Sequence, residues 1–254
     1  MKNSSPSSLK VEHASSRYHR IRATRYGSTL DDSEAVDLSL SIDRKMIGRG
    51  TFAVVYQSYV RETRETLAIK EVVVDRTHKN RELEILLELH HPNIIKLKYS
   101  FLREETHGRK KKVEILCLAM EMFPETVYAL VRRWHEKFNE SVVDSKQVKL
   151  FTFQMFSALN YLHARGIAHR DIKPTNLLVN AQKGLLKICD FGAAKHLLPN
   201  DLSVAYICSR YYRAPELILG CTSYTTSVDI WAAACVITEF YSGVPLFKGK
   251  SMAH

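Results

Sequence analysis

The chain has no cysteine pair at metal-binding or redox spacing. Its five cysteines, Cys117, Cys189, Cys208, Cys221 and Cys235, are scattered, with no CxxC among them. That excludes the usual zinc and disulfide frameworks and fits reduced, packed thiols in a cytoplasmic or nuclear protein. The first residues lack the apolar run of a secretory leader. The most apolar stretch, Val228 to Tyr241, is shorter than the roughly 20 residues of a membrane span and is interrupted by Asp229 and Glu239. It reads as a buried core helix, and no membrane partner is expected. Acidic residues are the minority, 27 against 37 lysines and arginines, for a formal net charge of +10. The positive charge is dispersed through the N-terminal region, an Arg109-Lys110-Lys111-Lys112 hairpin and the middle of the chain. It forms no aromatic-interleaved stripe, so no nucleic-acid partner is expected. With 254 residues, 45% hydrophobic and 25% charged, the chain can bury a sizeable core in one or two lobes.

What is present is concentrated. His169-Arg170-Asp171-Ile172-Lys173-Pro174-Thr175-Asn176 is followed by Asp190-Phe191-Gly192. This span joins the groups that phosphoryl transfer needs. Asp171 can orient a hydroxyl and accept its proton, and Lys173 can screen charge on the moving phosphoryl. Asn176 and Asp190 offer hard oxygens to magnesium. Upstream, Ile47-Gly48-Arg49-Gly50-Thr51-Phe52-Ala53-Val54-Val55-Tyr56 reads as strand, glycine-rich turn, strand, and Leu67-Ala68-Ile69-Lys70 sits at the spacing of the next strand. The octet, the glycine-rich turn and the Asp-Phe-Gly together resemble the protein-kinase signature set.

In chain order, residues 1–41 are rich in Ser, Arg and His and are expected to be a disordered tail. Within them, Arg25-Tyr26-Gly27-Ser28 is an Arg-x-x-Ser triplet that a basophilic kinase could modify. Periodicity predicts a helix from Lys79 to Leu89 with Leu83, Leu86, Leu87 and Leu89 on its apolar side, ended by Pro92. Strands are expected at about Ile94–Leu102 and Val113–Met120, then a helix from Glu125 to about Trp134. A long helix follows from Val143 to Arg165, with Leu150, Phe153, Phe156, Leu159 and Leu162 as core and Gly166 as its stop. Leu177–Val179 and Leu185–Ile188 should pair, and Asp229 should open the apolar helix.

The resemblance implies an α+β, two-lobed fold, with a small antiparallel β lobe carrying one helix over residues 42–123 and a mainly helical, incomplete large lobe over 124–254. It implies that Lys70 pairs with Glu82 and positions ATP together with Ile47, Gly48, Arg49, Gly50, Thr51, Phe52, Ala53, Val54, Val55, Ala68, Leu178 and Cys189. Met120-Glu121-Met122-Phe123 would be the hinge that meets the adenine edge. Ala53 departs from the pattern, which has a third glycine there. Lys173, two residues after Asp171, resembles Ser/Thr rather than Tyr kinases. Val204-Ala205-Tyr206-Ile207-Cys208-Ser209-Arg210-Tyr211-Tyr212-Arg213-Ala214-Pro215-Glu216 is close to glycogen synthase kinase 3, as are Lys79-Asn80-Arg81-Glu82-Leu83 and Pro124-Glu125-Thr126-Val127-Tyr128. That family implies a basic triad of Arg81, Arg170 and Lys195 for a phosphate already on the protein substrate, in the pattern S-x-x-x-pS. It also implies a regulatory phosphotyrosine at Tyr206, with Arg210 and Arg213 as partners. The family continues beyond His254, so Glu216 should lack its usual arginine, the underside of the central helix should be exposed, and the scaffold-docking groove should fall outside the chain. A catalytically impaired nucleotide- or phosphoprotein-binding module is the alternative expectation.

Overall fold

The computed structural model describes residues 17–27, 32–51, 53–74, 81–107, 111–138, 144–198 and 201–249. Strands dominate as far as residue 121. β1 (Tyr18–Tyr26) and β2 (Ser33–Ser41) form an antiparallel hairpin; β3 (Lys45–Arg49), β4 (Ala53–Val60) and β5 (Glu65–Val73) form a meander. β6 (Leu97–His107) and β7 (Lys111–Glu121) follow the helix α1 (Arg81–Glu88). The order is β2-β1-β6-β7-β5-β4-β3, and β2 also pairs with β4 through Leu40 and Val60, so the sheet curls back on itself. Side chains one residue apart along a strand point to opposite faces. The inward set, including Ala23, Leu38, Leu40, Val60, Leu67, Ile69, Phe101, Ile115 and Cys117, fills the enclosed space. Closure also leaves fewer unpaired strand edges.

For its described residues, this corrects the expectation of a disordered tail over residues 1–41. Tyr18–Tyr26 and Ser33–Ser41 belong to the sheet, with exposed cross-strand ion pairs Arg22–Asp37 and Arg25–Glu34. The hairpin carries only Ile21, Ala23, Val36, Leu38 and Leu40 as inward groups, too dilute to look like a core until β4 and β6 cover them. Ser28, Phe52 and the Arg109-Lys110 part of the basic hairpin lie outside the described residues.

β8 (Glu125–Thr126) opens the large lobe and precedes α2 (Val127–Phe138) and α3 (Ser145–His163). The expected helix start at Glu125 moves because Glu125 and Thr126 pair with Val179 and Leu178 instead. Asp144 caps α3 by accepting the Lys146 N–H at 3.0 Å, and Gly166 takes φ of +69° beyond its end. The phase of the α3 stripe differs from expectation. Val148, Phe151, Met155, Ala158, Leu159 and Leu162 are buried, whereas Leu150 is exposed and Phe153 is 72% exposed. Both sets repeat every three to four residues; packing against α5 (Ser227–Ser242) and β11 (Leu185–Ile188) chooses between them.

β9 (Ile167–Ala168), β10 (Leu177–Asn180), β12 (Lys195–His196) and α4 (Pro215–Ile218) complete the lobe. The loop after α1 ties the lobes: Asn93 Nδ2 donates to Leu186 O and Gln154 Oε1, and the Ile95 N–H donates to Ile188 O. α5 is apolar on nearly all sides and sits in the core, but Ile230 and Tyr241 on it, with Val244, Leu246 and Phe247 after it, are exposed. Among the described residues no cation lies within ion-pair distance of Glu216.

Candidate active site

Three elements converge on one ammonium. β5 carries Lys70, which alternation turns to the face opposite the barrel core. α1 presents Glu82 from its first turn, on the same side as buried Ile85 and Leu86. The Lys70 Nζ lies 2.7 Å from both Glu82 oxygens and 2.7 Å from Asp190 Oδ1. Burial alone would push Lys70 down, but the Glu82 and Asp190 carboxylates outweigh it and hold the ammonium above its ordinary value. Burial would push Asp190 up, and Lys70 overrides it, keeping the carboxylate below its usual range. Glu82, the more enclosed acid, is pushed up by burial despite Lys70. Phe191 is fully buried, edge-on to the His169 ring at 5.0 Å, and α1 packs on the 3₁₀ turn Phe191–Ala193.

The catalytic loop is held from beneath. Asp229, 1% exposed at the start of α5, accepts the His169 and Arg170 N–H groups at 2.8 Å each and His163 Nε2 at 2.9 Å. Arg170 sits at φ +64°, a strained position for a side chain, and these bonds keep it there. His169 Nε2 meets Cys189 O at 3.0 Å, tying the loop to the strand before Asp190. Lys173 is extended and Pro174 starts a 3₁₀ turn to Asn176, which folds Asn176 back on Asp171. Asp171 Oδ2 accepts Lys173 Nζ at 2.7 Å and Asn176 Nδ2 at 3.0 Å. Its Oδ1 accepts Ser209 Oγ at 2.8 Å, and Lys173 Nζ also donates to Ser209 Oγ at 3.0 Å. Sequence reasoning assigned Ser209 no role. No spacing rule places a hydroxyl 38 residues downstream against Asp171.

On the nucleotide side, the Gly50 N–H donates to Ala53 O at 2.8 Å, closing the glycine-rich turn. Ile47 falls at a register shift between Met46 and Gly48, while Gly48 faces Val55 and Arg49 faces Val54 across the strands. Thr51 is exposed in the turn. Val55 pairs with Lys70 and Ala68 with Met120, so the turn, the lysine and the hinge share adjoining strands. The Glu121 N–H is committed to Lys96 O at 3.2 Å, and its carboxylate takes Lys187 Nζ at 2.6 Å and the Lys96 N–H at 2.9 Å. At that residue only the carbonyl can serve a nucleobase. Met122 and Phe123 continue the hinge, half-buried, and Lys187 Nζ stands 5.9 Å from the centre of the Phe123 ring. Leu178 pairs with Lys187 in β11. Burial pushes the Cys189 thiol up, which makes it a packing group rather than a nucleophile.

The Asn176 carbonyl accepts the Cys189 N–H at 3.0 Å, which sets Asn176 beside Asp190. One carboxylate and one amide oxygen suit magnesium, which is satisfied by one or two protein oxygens plus phosphate and water. Among the described residues no cluster of three or more His, Cys, Asp or Glu forms an all-protein metal cage.

Of the remaining cations, Arg170 and Lys195 adjoin the turn after Asp190. Arg170 Nε donates to Ala193 O at 2.7 Å and its Nη1 to Tyr224 Oη at 3.1 Å. Lys195 pairs across β12 and β9 with Ala168, two residues before Arg170. Arg81 is exposed at the first residue of α1. Tyr206 is 61% exposed, with the Arg213 guanidinium 4.6 Å from its ring centre, while Arg210 is exposed in the 3₁₀ turn that begins there. A cavity of about 350 Å³ behind α1, lined by Tyr26, Leu86, His90, Ile95 and Lys187, is separate from the groups around Lys70 and Asp171.

Comparison with known proteins agrees with this geometry. A family profile described as the protein kinase domain matches residues 42–254. The chain is 50% identical over 207 residues to "Protein kinase gsk31" of Schizosaccharomyces pombe, a match covering 82% of this chain and 53% of that protein. It is 46% identical over 207 residues to "Glycogen synthase kinase 1" of Pyricularia oryzae, covering 82% and 51%. The chain thus spans about half the length of these curated relatives. With a matched profile over most of its residues and relatives of this identity, the chain belongs to the protein kinase family and resembles its glycogen synthase kinase members.

Proposed function

We propose that the chain is a protein serine/threonine kinase of the glycogen synthase kinase 3 type, moving the γ-phosphoryl of ATP to a Ser or Thr hydroxyl of a protein already phosphorylated in the pattern S-x-x-x-pS. The observation that carries this reading is the joint placement of Lys70 on Glu82 and Asp190, and of Asp171 on Lys173 and Ser209. Lys70, oriented by Glu82, holds the α- and β-phosphates, and the glycine-rich turn covers them. Magnesium, held by Asp190 and Asn176, supplies charge neutralisation on the phosphates. Asp171 orients the attacking hydroxyl and takes its proton as the new O–P bond forms and the bond to ADP breaks. Ser209 occupies the hydroxyl-accepting side of Asp171, which marks where an incoming hydroxyl would bond. Lys173, already 2.7 Å from Asp171, faces the charge developing on the phosphoryl.

A cavity of about 480 Å³ bordered by Lys173, Pro174, Tyr211, Tyr212 and Glu239 opens beside this centre and suits an extended substrate chain. Arg81, Arg170 and Lys195 read the priming phosphate, and phosphorylation of Tyr206 beside Arg213 and Arg210 orders the activation loop. All five cysteines are free, in keeping with work in a reducing compartment, cytoplasm or nucleus. A second reading, binding of nucleotide or phosphoprotein without turnover, is favoured by Glu216, which has no cation within ion-pair distance among the described residues, and by the exposed groups along and after α5. The test is phosphate transfer from Mg-ATP to paired peptides with and without the priming phosphoserine, with an Asp190→Ala control. Transfer that prefers the primed peptide and vanishes in the control supports the first reading. ATP binding by a folded chain without transfer supports the second.

A further inference from the structure

An acidic side chain of the chain itself already holds one of the three cations assigned to the priming phosphate. Lys195 Nζ lies 2.7 Å from Asp201 Oδ2, 3.0 Å from Ser203 Oγ and 3.2 Å from Leu202 O. An ammonium has three N–H donors. All three are therefore spent on one short stretch of the activation loop. Arg170 is also engaged, on Ala193 O and Tyr224 Oη, but a guanidinium has five donors and keeps others for an anion. Arg81 stands exposed at the head of α1. A phosphate arriving among these three groups gains Arg81 and the spare donors of Arg170 directly. It gains Lys195 only by displacing one of these three acceptors, and of them Asp201 alone carries a negative charge that the phosphate would face.

We propose that Asp201 is a built-in competitor for the priming phosphate, so that the chain discriminates primed from unprimed protein substrates less sharply than its three cations would allow. This inference rests on the primed-substrate reading given above. The loop around Asp201 has the properties of a displaceable ligand. Leu198, Leu202 and Val204 point outward and are exposed, so little apolar burial holds the stretch down. Its other ties among the described residues include the Asp201 N–H to Leu198 O at 3.1 Å, the Ser203 N–H to Thr222 O at 2.8 Å and Tyr224 Oη to Val204 O at 2.9 Å. None uses the Asp201 carboxylate, so all three can persist when it swings away. Asp201 is also more than a third exposed, and an ion pair of that kind is weak. A phosphate carries about −1.5 to −2 charges against −1 for the carboxylate, so it wins the lysine but forfeits part of its binding to the exchange.

The test uses the whole chain and two labelled peptides that differ only in phosphorylation of the serine four residues after the acceptor, with dissociation constants read by anisotropy. Asp201→Asn is expected to tighten the primed peptide about fivefold, the factor a partly exposed ion pair sets, and to leave the unprimed peptide unchanged. Asp201→Glu, which keeps the charge, is expected to bind like the parent. If the parent prefers the primed peptide and Asp201→Asn binds it no tighter, the competitor is refuted while the priming reading stands. If Asp201→Glu tightens binding as much as Asp201→Asn, charge is not the cause and the competitor is likewise refuted. If neither the parent nor Asp201→Asn prefers the primed peptide, both readings fall. A preference that emerges only in Asp201→Asn upholds the competitor as a complete block.

Discussion

The polar groups around Lys70 and those around Lys195 make opposite use of charge. At Lys70 one buried ammonium is shared by two carboxylates, and beneath the loop at His169 Asp229 satisfies two buried backbone N–H groups. Lys70 and Glu82 are nearly dry, with side chains 11% and 4% exposed, so each depends on its partner and removal of one leaves an uncompensated charge, although Asp190 keeps 44% of its side chain in solvent. Arg81 is exposed and Asp201 on Lys195 is 38% exposed, so solvent can replace the partners lost there. The first set fuses chemistry with folding. The second can change its occupant without cost to the fold, as a ligand-reading site requires.

Substitutions should break this comparison if it is wrong. Asp229→Ala orphans two buried N–H groups and His163 together, and should cost about 4 kcal/mol in denaturant unfolding. A loss below about 1 kcal/mol would show that water reaches the loop. Lys70→Met leaves Glu82 and Asp190 facing each other without a cation and should cost about 3 kcal/mol, with nucleotide binding lost in calorimetry. Tyr212→Phe removes the hydroxyl that donates to buried Glu239 Oε2 at 2.6 Å, and should lower stability by about 1–2 kcal/mol.

The pH dependence follows from the direction of each shift. Asp190 is lowered, so its contribution is present above its unfolded value of about 3.9 and is lost as pH falls through the folded one. Lys70 is raised, so its contribution is present below about 10.4 and is lost as pH rises through its folded value. The stability these two groups give the parent should therefore be lost as pH falls through the folded value of Asp190 and as it rises through that of Lys70. In Lys70→Met the uncompensated Glu82–Asp190 pair should bind a proton more readily than in the parent, so the deficit of the variant should shrink as pH falls; a deficit that grows on acidification would contradict the assignment. Smallest in stability is Arg81→Ala, within about 0.5 kcal/mol of the parent in thermal unfolding. Its effect should appear only as weaker binding of the primed peptide.

Much of the site was legible because its residues are close in sequence or lie at short, regular offsets. Asp171, Lys173 and Asn176 fall within one loop, and a proline turn brings them together. Lys70 and Glu82 could be paired because a strand lysine before a helix glutamate is a recurring arrangement. Ser209 was not legible, since its place against Asp171 depends on the path of the activation loop. The stripe on α3 shows a different limit. Period alone marked a helix and its stop at Gly166, yet it admitted two faces, and the bulk of Phe153 suggested the wrong one.

By itself the sequence determined the strand and helix types over most of the chain, the catalytic octet, the absence of cysteine pairing motifs and the resemblance to a kinase. Each of these is written in local spacing or in side-chain chemistry. Only the tertiary structure decided that Tyr18–Tyr26 and Ser33–Ser41 complete the small-lobe sheet, because their few apolar groups acquire a core only when β4 and β6 cover them. It alone decided that Phe153 faces outward, because α5 and β11 take the other face of α3. It alone set Asp201 on Lys195, a contact made by the path of the activation loop after β12.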